Sequence, residues 1–578
     1  MSQPENQELE RFGTAKMFRP VSLILAAILL VALGISCFFY TGFYASDDGS
    51  YLQGIRAICN ESTLSPTNLG AIRLGVTAPP ALAYWLTGGS VFAAVSFFVL
   101  YPPLMSAVAY LIGRRIHSIA TGLVAAFLVA TCPIIYFFAG AILPDNPMSF
   151  WAGLSILATV AGIMAGHEEE PRLWQQAGWF LVAGLLLGFA YMVKETALIL
   201  AAPMGLAFLF ATRGLSLRRL ILLAVAFGAG LATAGAIEAI SLRMIAGEWF
   251  WRPGTSQGEA VTAAFRQRAA EQGWQFLPRL RAVANELRPH MDANALWLLV
   301  AIPAYPFLTP SKNGRRKAAV FVLAAFAWTL VYLTYGSASL KQYQPPTIRA
   351  RYYALCVIPF SVIVAQAVVW ASGLIAGIPW PRLLWRWTAA LLVSGVLTLW
   401  ASHLLAINYK RAGVNFRSQE VKTFLLALQD VRERYRSRPI VISQYLSQRM
   451  TPIIPDQVKG LSLTKTGNEY AQGQLPAGGF ILIAPANPNR PDATLAAIKQ
   501  AEAEGKLRLE PAGRGTYAAP LGRLNELRYY LYPLFSSAAP PEYVSAPWAG
   551  MMAYLVSPTG NPSPRSTGTA PAARAAHP

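Results

Sequence analysis

The sequence predicts a polytopic α-helical membrane protein with a small α/β domain after its last span. Three observations lead there. Only 13% of the 578 residues are charged and 54% are hydrophobic, about half the roughly 25% charge density of a soluble protein. Apolar runs of about 17–25 residues, long enough to cross a bilayer, recur along the first 410 positions. Beyond them the pattern changes to short buried runs alternating with amphipathic helices, and the mean hydropathy of the whole chain is still +0.39.

Spans are expected near 21–43, 90–112, 118–139, 147–166, 177–193, 197–212, 220–245, 294–309, 318–336, 352–375 and 388–408, about eleven by the window criterion. The net charge of +20 in a soluble chain would point to nucleic acid. Here many basic residues lie in short loops between apolar runs, as the positive-inside rule requires, so no nucleic-acid partner is expected. Arg114-Arg115, the Arg213, Arg218 and Arg219 group, the Lys312, Arg315, Arg316 and Lys317 group, and Arg382 with Arg386 share one side with Arg11, Lys16 and Arg19. That side is read as the cytoplasm of a bacterial cell, with residues 1–20 there and residues 21–409 in its inner membrane. An odd number of spans then leaves everything after 409 outside. The first run lacks a small-residue cleavage site, so no cleaved signal is expected. Of the four cysteines, only Cys59 lies in a loop, which predicts neither a disulfide framework nor a metal cluster.

Four outward regions follow. Residues 44–89 carry Asp47-Asp48 just past the first apolar run. In 246–293, Phe276, Leu277, Leu280, Val283 and Leu287 recur at helical spacing with Arg279, Arg281 and Arg288 between them. That pattern fits a helix lying at the interface near anionic headgroups, or one packed on its own protein. Residues 337–351 place Lys341, Arg349 and Arg351 on the outer side against the general charge bias, and a lipid phosphate would explain them. From 410 to 555, Val421, Phe424, Leu425, Leu428 and Val431 mark a helix, 439–443 and 479–484 short strands, and 492–504 another helix. Residues 556–578, rich in Pro, Ala, Ser and Thr, read as a disordered tail.

Along the outer face the ionisable residues are Asp47, Asp48, Arg73, Asp145, Lys194, Glu195, Lys341, Arg349 and Arg351. Acids at a lipid boundary are costly and read as functional, against the bland alternative of solvated loop carboxylates. Lys194-Glu195 interrupts an apolar stretch, as a buried polar pair or as a self-satisfied surface pair. Acids and cations together suit one reaction class. If a sugar rides on a lipid phosphate, cations stabilise the departing phosphate and one carboxylate takes the acceptor's proton.

Asp47-Asp48-Gly-Ser-Tyr51, then Arg73 and Pro79-Pro80-Ala-Leu-Ala-Tyr84-Trp85-Leu86, resemble the first outer loop of the GT-C glycosyltransferases, among them the protein O-mannosyltransferases and the aminoarabinose transferase of lipid A. Leu-Pro-Asp145 with Phe150-Trp151, Tyr191-Met-Val-Lys194-Glu195-Thr196, and Arg351-Tyr352-Tyr353 with Pro359 resemble later motifs of that family, in family order. The resemblance implies a GT-C-like fold and a transferase. It would move a hexose or pentose from a polyprenyl-phosphate carrier to a lipid, glycan or protein acceptor at the outer face, with inversion. By motif match Asp47 would be the base and Asp48 its neighbour, helping to place the acceptor. Asp145 would orient substrate, and Lys194, Arg349 and Arg351 would meet the phosphate, with Tyr51, Tyr84 and Glu195 lining the cavity. The family lysine before Pro-Pro is Ala78 here; Arg73 or Lys341 is the expected substitute.

No cofactor is certain from the sequence, and a divalent cation, which Asp47, Asp48 and Asp145 could hold, is not favoured. A divalent cation at Asp47, Asp48 and Asp145 would leave no spare carboxylate as base, and no His-x-x-His spacing suggests zinc. Glu238, inside the seventh span, reads either as a cavity residue or as helix packing. A transporter or flippase of lipid-linked anionic sugars is the rival class. It would place its charges near the midplane and show internal repeats.

Overall fold

The computed structural model describes residues 4–38, 40, 42–43, 47–64, 70–136, 140–167, 173–212, 216–247, 249, 276–285, 287, 305, 309, 314–337, 346, 348–376, 417–443, 446, 450, 479–486, 492–518 and 551–559. The chain forms two units, one of residues 1–415 with 524–541, the other of 416–523 with 542–578.

The first unit is helical. Among the described residues, seven helical segments are long and apolar enough to cross a membrane: Val21–Phe38, Val91–Ile116, Asp145–Ala165, Leu173–Val193, Leu217–Ala246, Arg315–Tyr335 and Ala350–Trp370. Ile119–Ala130 and Glu195–Ala211 are shorter apolar helices. Nine of the eleven expected spans therefore have helical counterparts, and 294–309 and 388–408 lie largely or wholly outside the described residues. Two expectations need correction. The first helix ends at Phe38, not near 43. The third span is not continuous: its helix stops at Ala130, and a separate short turn, Pro133–Tyr136, follows, because Pro133 has no N–H with which to continue the ladder.

In chain order the helices are α1 (Pro4–Phe38), α2 (Asp47–Ile58), α3 (Leu74–Leu86), α4 (Val91–Ser96), α5 (Tyr101–Ile116), α6 (Ile119–Ala130), α7 (Pro133–Tyr136), α8 (Asp145–Ala165), α9 (Leu173–Val193), α10 (Ala201–Ala211) and α11 (Leu217–Ala246). Then come α12 (276–285), α13 (Arg315–Tyr335) and α14 (Ala354–Ala376). Burial separates centre from rim. Of an apolar 18-residue stretch of Ala350–Trp370, 83% is buried inside the protein; of one in Leu217–Ala246, 22%. Leu217, Ile221, Val225, Ile237 and Ile240 on α11 are exposed, the apolar face that a lipid-facing helix presents. Where helices meet in an apolar medium, hydrogen bonds join them: the Ser155 hydroxyl of α8 donates to the Ala183 carbonyl of α9 at 2.8 Å.

The helix ends sort into two groups. At one end Lys317 donates to the Thr212 carbonyl (3.2 Å), His167 meets the Phe210 carbonyl (2.9 Å) and the Arg115 guanidinium lies over the Trp179 ring (5.5 Å). This end gathers the close of α5, α8 and α10 with the start of α9 and α13, and it is basic. At the other end α8 and α14 begin while α9, α11 and α13 finish.

That second end is built by close approach. Ala57, Leu64, Ala71, Ile72, Leu74, Met192 and Leu242 form one buried cluster, which seats α2 and α3 on the ends of α9 and α11. Gly54 on α2 passes so near the next segment that a Cβ would lie 2.3 Å from the Ala71 carbonyl oxygen. At Gly75 on α3 a Cβ would lie 2.6 Å from the Val193 backbone nitrogen. Glycine is required at both places because backbone, not a movable side chain, is in the way.

The second unit holds a four-stranded sheet in the order β1 (Ile440–Ile442), β2 (Phe480–Pro485), β4 (Met551–Pro558), β3 (Leu507–Tyr517). β1 and β2 are parallel, and β4 runs antiparallel to both its neighbours. Val441, Phe480, Leu482, Ala484, Ile498, Ala501, Leu507, Tyr554 and Val556 form its core. α15 (Arg417–Arg434) buries Val421, Phe424, Leu428 and Val431, while Leu425 falls on the outer face. The Tyr517 hydroxyl donates to Asp430 at 2.6 Å. Burial and that carboxylate push it up to about 12. α16 (Ala493–Ala503) is capped by Asp492, whose side chain accepts from the Thr494 and Leu495 amides. β4 runs through Pro558, so the expected tail boundary at 556 falls inside a strand.

Gly75→Val should cost about 1–3 kcal/mol, as overpacking does, and lower the melting temperature of the purified protein in detergent. Gly178→Ala on α9, where a Cβ meets nothing within 4 Å, should leave it unchanged or raise it.

Candidate functional site

A single extended residue makes the site possible. α9 ends at Val193, and Lys194 takes an extended conformation (φ −158°, ψ 133°) before a 3₁₀ turn, Glu195–Leu200, leads into α10. Successive side chains on extended backbone point to opposite sides. Lys194 and Glu195 therefore engage separate partners. The break costs little hydrogen bonding, because the Lys194 amide still donates to the Ala190 carbonyl (3.0 Å) and the Ala197 amide to the Lys194 carbonyl (3.0 Å).

Lys194 turns to Asp145, the first residue of α8. Its Nζ lies 2.6 Å from Asp145 Oδ1, and Arg351 Nε lies 3.9 Å from Oδ2. The Asp145 side chain is 1% exposed, that of Lys194 11% and that of Arg351 24%. Oδ2 is buried and accepts no hydrogen bond within the geometric limits of one. A carboxylate at the start of a helix also meets the positive end of its dipole. The Tyr352 ring carries both cations, with Lys194 Nζ 4.0 Å and Arg351 Cζ 5.3 Å from its centroid, an arrangement that the ring quadrupole favours. Arg349, exposed, precedes the 3₁₀ turn Ala350–Tyr353 that bears Arg351. Asn146 anchors the start of α8 by donating to the Ile135 carbonyl (2.9 Å). Two cations thus meet one carboxylate, and the excess positive charge suits an anion.

Glu195 turns the other way, to Arg73. Arg73 Nη2 lies 2.7 Å from Oε2 and Nε 3.4 Å from Oε1, while Nη1 donates to the Tyr51 hydroxyl at 3.0 Å. Burial opposes the charge on Arg73, but Tyr51 and Glu195 outweigh it and hold the guanidinium above its ordinary range. The two close approaches at Gly54 and Gly75 place these three side chains together.

Of the residues named from sequence, Asp145, Lys194 and Arg351 form one cluster, and Tyr51, Arg73 and Glu195 a second that shares its backbone. The picture of Lys194 and Glu195 as a self-satisfied surface pair is corrected by their separate partners. Arg73, expected at the phosphate, spends its hydrogen bonds on Glu195 and Tyr51. Tyr84 stands in a third group, donating to Glu61 Oε2 (2.6 Å) and approached by Arg56 Nε (3.4 Å); burial, with the Glu61 bond, pushes its hydroxyl up. Asp48 is fully buried in the first turn of α2. Asp47 opens that helix, but its side chain lies outside the described residues, as does Lys341. Glu238 on α11 is buried. Among the described residues no three His, Cys, Asp or Glu side chains come together as a metal site. Sequence reasoning did not single out Gly54, Gly75 or Glu61. Glycines in short helices were the available signal for the first two.

Removing either partner of the Asp145–Lys194 pair strands a buried charge, which costs about 3–5 kcal/mol in a closed site. Asp145→Asn and Lys194→Met should each lower the melting temperature in detergent. The double variant should melt higher than the sum of the two losses predicts, and strict additivity would refute the coupling.

Residues 80–234 match the family described as dolichyl-phosphate-mannose-protein mannosyltransferase, a stretch that contains Tyr84, Asp145, Lys194 and Glu195. A comparison with curated protein sequences finds no match. Among solved structures, ArnT from Cupriavidus metallidurans bound to undecaprenyl phosphate is similar at a TM-score of 0.52 and 12% identity, over 82% of this chain and 94% of that one. Its apo state gives 0.51 and 14%, over 83% and 94%. The chain is a multi-pass membrane protein whose fold is similar to that of ArnT and whose residues 80–234 match that mannosyltransferase family.

Proposed function

We propose that the protein moves one sugar from a polyprenyl-phosphate carrier to an acceptor at the outer face of a bacterial inner membrane. The observation that carries this reading is the buried Asp145 carboxylate held by Lys194 and faced by Arg351, all at one end of the helices. The family match over 80–234 and the resemblance in fold to an enzyme crystallised with undecaprenyl phosphate support it. The basic end, carrying Arg114, Arg115, Arg315, Arg316 and Lys317, faces the cytoplasm in this reading.

In this mechanism the C1–O bond between sugar and phosphate breaks, and the phosphate leaves with the bonding pair. Lys194, Arg351 and Arg349 receive the charge that develops on it. Asp145 keeps the two inner cations in place before the lipid arrives, so little reorganisation remains when the bond breaks. Arg73, committed to Glu195 and Tyr51, shapes the adjoining wall, and Lys341 remains a candidate for the phosphate. The acceptor hydroxyl attacks C1 from the opposite face and gives its proton to Asp47, with inversion. Asp48 is its buried neighbour in the first turn of α2. The acceptor is a lipid, glycan or protein. Whether a hexose or a pentose is transferred is a property of the same pocket.

A transporter or flippase of lipid-linked sugars would hold its charges near the midplane, on broken helices. Asp145 begins its span, Lys194 follows the end of another and Arg351 precedes the body of a third. That placement suits chemistry at the boundary.

Mass spectrometry of envelope lipids and glycans, with and without the gene, should reveal the product as a mass difference of one sugar. Asp47→Asn should reduce transfer by at least about 100-fold, the scale of a lost general base, while donor binding persists; a wild-type rate would refute the assignment. Arg351→Ala should weaken binding of undecaprenyl phosphate by about tenfold or more, and unchanged affinity would refute the cradle.

A further inference from the structure

The amphipathic helix α12 is tied to the loop that carries the phosphate-facing arginines. Arg279, expected from sequence either near headgroups or on a helix packed against its own protein, turns inward. Its Nε donates to the Thr334 carbonyl and its Nη2 to the Pro346 carbonyl at 2.6 Å. Thr334 lies in the last turn of α13, where carbonyls lack helical partners and the dipole is negative, so a cation is favoured there. Pro346 lies on the strand of chain leading to the 3₁₀ turn. A guanidinium presents its donors as a rigid fork, so one side chain holds both ends of the 334–346 segment.

Two further contacts fix α12 in register. The Phe276 and Tyr335 rings stack at 4.7 Å with planes 6° apart, and the Tyr335 hydroxyl donates to the Phe276 carbonyl at 3.3 Å. Val283 and Leu287 are buried, whereas Phe276, Leu277 and Leu280 remain exposed. The helix therefore packs on its own protein through one face and keeps an apolar face outward.

We infer that Arg279 is a positioning residue for the lipid-phosphate site, acting through Arg349 and Arg351. Pro346 precedes Arg349 by three positions. Three residues span at most about 10 Å, so anchoring the Pro346 carbonyl to the end of α13 confines where the two arginines can stand. Without the bridge the loop gains conformational freedom, and the cations must be ordered when the phosphate binds. This inference rests on the reading of Lys194, Arg349 and Arg351 as the phosphate cradle.

The test uses the purified full-length protein in detergent, with undecaprenyl phosphate as probe, in wild type, Arg279→Ala, Arg279→Lys, Arg351→Ala and Arg279→Ala/Arg351→Ala. Arg279→Ala should weaken affinity about five- to tenfold with the ligand-free melting temperature little changed. Arg279→Lys, which reaches one carbonyl but not both, should fall between, and it carries the test if the alanine variant does not fold. The double variant should lose less than the product of the two single losses, because part of the effect of Arg279 passes through Arg351. Wild-type affinity in Arg279→Ala, or losses that multiply in the double variant, would overturn the inference while leaving the cradle standing. Unchanged affinity in Arg351→Ala would overturn the cradle and the inference together.

Discussion

Burial of one carboxylate between two cations is the constraint around which the candidate site is arranged. Asp145 is nearly inaccessible, and an isolated charge there would be untenable. Its partners come from elements far apart in sequence, Lys194 after α9 and Arg351 before α14, so their meeting fixes the relative height of three helices. The pair does not stabilise by itself; ion pairs of this kind often break even against desolvation. What it does is hold cations in a place where they would otherwise repel one another, with the Tyr352 ring beneath them. A site proposed to take an anion needs such a counterweight.

Much of the fold was legible because the bilayer imposes a coarse rule. Long apolar runs, few charges and basic connections identify spans without any knowledge of packing, and α5, α8, α9, α11, α13 and α14 follow that rule. The misreadings have local causes. Residues 118–139 are apolar throughout, so hydropathy joined what Pro133 divides. The first run stayed apolar to Phe43, five residues beyond the helix end, because composition does not report where backbone hydrogen bonding stops. In the second unit, short buried runs located β1 and β2, but β3 and β4 were passed over. β3 carries Gly513, Gly515 and Pro511 around a register shift, which blurs a period of two.

The site was legible as residue types and not as partnerships. Asp145, Lys194, Glu195 and Arg351 stand out as charges in apolar surroundings. Which carboxylate meets which cation is decided by the extended backbone at Lys194, and nothing in the local sequence announces it. Arg73 looked like a free phosphate ligand because Glu195 lies more than a hundred positions away. Arg279 looked like a surface cation on an amphipathic helix, and its two carbonyl partners leave no mark in a pattern of charges. Gly54 and Gly75 carry no chemistry at all, yet their missing side chains let α2 and α3 come close enough for Tyr51, Arg73 and Glu195 to meet.

The reversal between α9 and α10 has a further implication. α9 runs toward the site end and α10 returns to the basic end, yet only Lys194 separates α9 from the 3₁₀ turn that starts the return. A hairpin with no slack transmits length changes directly. One added residue at its tip would swing the following helix by about 100° and carry Glu195 off Arg73, whereas a substitution there would alter only chemistry. The tip can therefore drift in residue type during evolution but not in length, and related chains should align across it without gaps.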